Sequence, residues 1–192
     1  LALLTAFLTH RGLSRVILEK DRLLDIEAAG DDLVEQRAVH STLIAGMYAA
    51  LAGHDMKNTS TETAGGECGL TAWFKGDERK TIETHIPGLE VQIQALEESH
   101  KAFHAAIDKF DQIIKAGAGE NSEDIAAQGR AVIRAEILEA FTRMETAMNT
   151  MDGEIHDEAK RVSQALNGSA SVLKLEIGVL SFLAVLLTIA AG

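Results

Sequence analysis

The stretch from Ile86 to Ile114, IPGLEVQIQALEESHKAFHAAIDKFDQII, decides the fold class. Ile86, Leu89, Ile93, Leu96, His100, Phe103, Ile107, Phe110 and Ile114 follow one another in alternating steps of three and four. That is the spacing of a helix seated in a bundle, where one stripe faces the neighbours and the rest meets water. It predicts a long helix over residues 77–116, ended by Gly117 and Gly119.

Working outward, residues 13–53 carry a second stripe through Leu33, His40, Leu43, Met47 and Ala50, with Gly30 as a weak point costing about 1 kcal/mol relative to alanine. A polar stretch rich in Thr, Ser and Asn then reads as a loop over residues 53–67. A short apolar-aromatic piece, CGLTAWF over residues 68–74, precedes another polar break at Gly76 and Asp77. The last helix starts near Ser122, where Ser-Glu-Asp resembles a cap followed by first-turn acids. It carries Ile125, Val132, Ile133, Ile137, Phe141, Met144, Met148, Met151 and Ile155, and the Asn167–Ser169 region marks a loosening before the C-terminal end. No run alternates like a strand. The expected fold is all-α: an antiparallel, four-helix-type bundle continuing into transmembrane helices.

Residues 1–9 (LALLTAFLT) and 177–192 (IGVLSFLAVLLTIAAG) carry no charge. We read residues 1–12 as the end of a truncated first transmembrane helix and 173–192 as a second, also truncated, bracketing a helical sensor domain over 13–172. A buried core helix is the competing reading of the terminal run. Arg11, Arg15, Lys20 and Arg22 follow the first apolar run and oppose an outward-facing loop under the positive-inside rule. With 29 acidic against 18 basic residues the formal charge is −11, and the basic residues form no face that could replace phosphate counterions. Nucleic-acid binding is therefore not expected.

The chemistry concentrates in four residues. His100 and His104 lie four apart and project from one helix face, His100 on the apolar stripe itself. A ring buried there needs a partner, because an unsatisfied polar group costs a few kcal/mol, roughly, away from water. Such a pair alone is weak evidence for a metal and more often marks satisfied core or surface histidines. His40 also sits on a bundle-facing stripe, and Cys68, the one cysteine, opens the piece between the two helices. Three imidazoles and a thiolate form a borderline-soft set suited to tetrahedral Zn²⁺, not to calcium or magnesium. His54 lies at a loop edge, and His85 and His156 read as solvated. Trp73 and Phe74 read as a plug holding Cys68, and Met144, Met148 and Met151 as core.

The run Cys68-Gly-Leu-Thr-Ala-Trp73-Phe74, preceded by His40 and followed by His100-Lys-Ala-Phe-His104, resembles the chemoreceptor zinc-binding domain. The resemblance covers residues 36–110. It implies a helical bundle with His40, Cys68, His100 and His104 as zinc ligands. Thr71 stands where that family usually has glycine, and Leu43 and Ile44 occupy the turn where it often has an aromatic residue. The stretches around Pro87-Gly-Leu and Leu96-Glu-Glu-Ser-His look like sensor loops of membrane methyl-accepting chemotaxis proteins. What the resemblance implies is a non-enzymatic, homodimeric receptor in the inner membrane, its sensor region periplasmic, acting on downstream cytoplasmic chemotaxis proteins. Zinc or oxidant would be its signal. The alternative is a structural zinc site in a histidine kinase or diguanylate cyclase that detects another ligand.

Overall fold

The computed structural model describes residues 2–52, 68–116 and 122–191, and among them every regular element is helical. In chain order these are α1 (Ala2–Leu51), α2 (Gly69–Lys75), α3 (Asp77–His85), α4 (Glu90–Ala116), α5 (Ser122–Val132), a π-helical turn (Ile133–Ile137) and α6 (Leu138–Ala191). The fold is an all-α helical bundle with a long, apolar C-terminal helix. The chain divides into two units: Ala29–Glu154, and Leu1–Ala28 together with Ile155–Gly192.

The first unit holds the larger core. Leu33 and Met47 from α1, Leu70 from α2, Ile82 from α3 and Ile93, Leu96, Phe103 and Ile107 from α4 are all at most 3% exposed. Each such side chain contributes about 1.5–3 kcal/mol by leaving water. The regular stripe of α4 is thus the face that packs, and Val91, off the stripe, is 66% exposed.

The expected single helix over residues 77–116 is two helices. Pro87 has no N–H to donate and disfavours the α conformation at Ile86, so α3 ends at His85. Gly88 takes φ = 100°, which a residue without Cβ adopts freely, and the Leu89 N–H reaches the Ile86 carbonyl at 3.2 Å to close the turn. The first helix joins the helix expected over residues 13–53 to the apolar residues before it without a break. It starts at Ala2 and passes Gly30 unbroken, because Ile26, Ala29 and Leu33 around it are buried. The Asn167–Ser169 region is likewise continuous helix.

Ile133, Ile137 and Phe141 are buried at successive steps of four, which drift by about 40° per step on a regular helix. The π turn, with the Leu138 N–H bonded to the Ile133 carbonyl, takes up that drift. Phe141 then meets Phe103 at 5.9 Å between ring centroids.

In the second unit α1 and α6 run antiparallel, since Arg22 pairs with Glu158 while Gly12, ten positions earlier, faces Leu173. A methyl added at Gly12 would come within 2.8 Å of Leu173 Cδ1. Ile26, Ile155 and Val162 are buried, and the buried Glu158 also accepts from Arg161 at 2.7 Å. Near the end of α6 an 18-residue window has a mean hydropathy of 2.2, and none of it is buried. By length and composition this segment can cross a membrane. It is not a core helix of this chain.

Candidate metal centre

His40, Cys68, His100 and His104 offer four ligand atoms that all lie within 4.8 Å of one another. Each arrives by a different local device. His40 sits on α1 among Leu33, Ile44 and Met47 and is 1% exposed. Cys68 is the residue before α2, with extended backbone (φ −68°, ψ 153°), and its carbonyl accepts the Ala72 N–H at 3.1 Å. His100 and His104 are one turn apart on α4, the first 4% exposed and the second half-buried.

Cys68 Sγ lies 3.0 Å from His100 Nε2 and 4.0 Å from His40 Nε2, and the Nε2 atoms of His100 and His104 are 3.0 Å apart. Tetrahedral zinc would set its nitrogens about 3.3 Å apart and sulfur from nitrogen about 3.6 Å. The observed separations fall on both sides of those values, so this donor set fits a single ion. His40 shows which atom it presents. Its Nδ1 is 2.6 Å from the Gln36 carbonyl, which can only accept, so Nδ1–H is the donor and Nε2 keeps its lone pair for the centre.

Burial pushes the Cys68 thiol up, but hydrogen bonding around the sulfur, led by His100, outweighs it and lowers the thiol to about 2. Cys68 is thereby held as thiolate, the form that binds metals and reacts with oxidants. The sequence reading passed over three neighbours. Thr71 Oγ1 lies 3.4 Å from the sulfur. The Gln36 carbonyl orients His40, and Phe103 lies 5.4 Å from the His40 ring and 5.7 Å from that of His104. A histidine one turn after any residue can use that residue's carbonyl, so the Gln36 contact has no side-chain signature; the Phe103 contact was readable from its place on the stripe.

Among the described residues, the remaining histidines stay apart from the cluster. His156 is exposed, as expected, whereas His85 is half-buried instead of solvated. His54 lies outside the described residues. Trp73 is 8% exposed, and the Phe74 ring stands 5.7 Å from His100 and 5.6 Å from Trp73, walling one side of the centre. Met144, Met148 and Met151 are core residues, each at most 2% exposed.

Compared with known proteins, the chain matches no family model, no curated protein and no solved structure. The chemistry of this centre therefore rests on its own geometry. A metal ion could be held there; the donor set is what points to zinc.

Proposed function

We propose that the chain is the zinc-binding sensor region of a transmembrane bacterial chemoreceptor, related to the chemoreceptor zinc-binding domain. The observation that carries the reading is the convergence of three imidazoles and one thiolate on a point within the bundle. His40 belongs to α1, His100 and His104 to α4, and Cys68 to the segment that leads into α2. A zinc ion held by all four joins these elements, and loss of one ligand changes how they pack. α1 and α6 also supply the second unit with its apolar ends, so repacking at the centre has a covalent route toward the membrane. Cys68 is the trigger in this reading, since oxidation of its thiolate removes a ligand.

The chain has no catalytic role in this reading, because four protein ligands fill a tetrahedral shell and leave no position for a reacting water. The receptor is a homodimer in the inner membrane, with the bundle on the periplasmic side and chemotaxis signalling proteins as its cytoplasmic partners. The test is zinc content of the purified chain beside Cys68→Ala and His100→Ala. One zinc per chain, weakened in both variants, is expected. A folded chain that takes up no zinc refutes the proposal.

One observation favours the second reading, a structural zinc beside another ligand's site. A cavity of about 280 Å³ backs onto Gly69, lined by Asp32, Leu33, Gln36, Leu70, Trp73 and Glu78 among others. Helicity of the metal-stripped chain separates the two readings. A sensor keeps its fold without metal, and a structural site melts.

A further inference from the structure

At the base of the second unit a groove of about 440 Å³ lies between α1 and α6, lined by Arg11, Gly12 and Arg15 on one side and by Gly168, Ser169, Val172, Leu173 and Glu176 on the other. Its level is set by the contact of Gly12 with Leu173, four positions before the uncharged run begins at Ile177. The two helices are antiparallel here, so the uncharged residues 2–9 leave the groove on the same side as Ile177. The groove therefore sits where an apolar pair of helix ends gives way to charged surface.

We propose that this groove binds the headgroup of an anionic phospholipid. The inference rests on the membrane reading above. Arg11 and Arg15 are four apart and share one helix face. Arg15 uses Nε for Glu19 at 3.0 Å, and a guanidinium has five N–H donors in a fork that suits a phosphate. Both arginines are exposed. Opposite them, Val172 is 56% exposed and Leu173 half-buried, an apolar wall for the glycerol and the first acyl carbons. Next to Gly168 there is open space. A free phosphate would satisfy the arginines but leave that wall wet, so the amphipathic lining selects a lipid. Glu176 Oε2 would lie 3.9 Å from a methyl at Gly12 and opposes the anion, which limits affinity. The same arginines run against the positive-inside rule for an outward-facing domain, and a bound anionic headgroup gives them a use on either side of the membrane.

The test is native mass spectrometry of the full chain released from detergent micelles doped with phosphatidylglycerol or phosphatidylcholine. Phosphatidylglycerol should stay bound and phosphatidylcholine should not. Each juxtamembrane basic residue is worth about fivefold in affinity, so Arg11→Gln with Arg15→Gln should lose roughly 25-fold. Glu176→Gln should retain more lipid than the parent. Lys80→Gln with Lys115→Gln removes the same charge from the other unit and should change nothing. Glycerol phosphate in solution should fail to compete. Equal retention of both lipids overturns the proposal, as does an unaffected arginine pair, equal loss in the lysine control, or full competition by glycerol phosphate. A chain that stays monodisperse without detergent refutes the membrane reading itself, and the groove proposal falls with it.

Discussion

Zinc should raise the thermal midpoint of this chain substantially, and Cys68→Ala should remove most of the gain. His40 and Cys68 are 28 positions apart and Cys68 and His100 are 32 apart, so an ion held by all three closes two long loops. A permanent link across a loop of either length would take about 3.6 kcal/mol of entropy from the denatured chain. A reversible ion supplies at most its own linkage term, about 4 kcal/mol when free zinc is a thousandfold above Kd. For a chain of this size about 1 kcal/mol moves the midpoint by roughly 2–4 °C, so the expected rise is on the order of 8–16 °C. Cys68→Ala leaves three imidazoles and removes the anionic ligand. If affinity falls on the order of a hundredfold, the same zinc adds only about 1.4 kcal/mol, or roughly 5 °C. The assay is far-UV circular dichroism against temperature, on metal-stripped and zinc-loaded full chain in detergent. A parent midpoint that zinc does not move, or an equal rise in Cys68→Ala, refutes the argument.

Three further outcomes are expected. Phe103→Ala empties a site between His40, His104 and Phe141, and should cost about 3–5 kcal/mol in urea unfolding while also weakening zinc; Phe103→Leu keeps most of the volume and should cost far less. Hydrogen bonding from Lys101, together with nearby Arg79, holds the Glu97 carboxyl below its usual 4.5, so this group adds stability above 4.5 that is lost as pH falls through its lowered value. Glu97→Gln should therefore lower stability by about 0.5 kcal/mol at neutral pH and by nothing in acid, and an equal loss at both would contradict the assignment. Finally, lysine at both Val185 and Leu186 should oppose membrane insertion by about 2.5–3.5 kcal/mol for each residue near the centre of a span. Carbonate extraction of membranes from cells making parent and variant reads this directly, and an equally resistant variant would place that segment outside the bilayer.

Much of this architecture is legible in the residues, and the misreadings have physical causes. The stripe from Ile86 to Ile114 marks the packed face of α4 because burial there is nearly complete from Ile93 to Phe110. The same regularity concealed the break at Pro87. Ile82, Ile86, Leu89 and Ile93 keep their three- and four-residue steps across the turn, so periodicity alone runs the two helices together. The proline's missing N–H was the better signal. Gly30 and Asn167 were over-weighted for the opposite reason. Their intrinsic cost is about 1 kcal/mol or less, and beside Gly30 the burial of Ile26 and Leu33 exceeds it. His40 and His100 were marked by their places on the apolar stripes, but the set of four came from the resemblance to the chemoreceptor zinc-binding domain. The hydroxyl of Thr71 beside the sulfur was not readable, because it depends on how the chain turns into α2.

The tautomer of His40 carries the argument for a cation one step further. With Nδ1–H committed to the Gln36 carbonyl, its Nε2 brings a lone pair to the centre and no proton. The Nε2 atoms of His100 and His104 lie 3.0 Å apart, and the Cys68 sulfur, 3.0 Å from His100 Nε2, meets that pair as a thiolate. Four electron-rich atoms therefore converge where water has little access, and such an arrangement is costly unless positive charge sits among them. Protons or a metal ion can supply it, and they compete for the same lone pairs. A bundle core that orients its imidazoles inward, and fixes one of them through a backbone carbonyl, could hold an ion that uses all four donors at once.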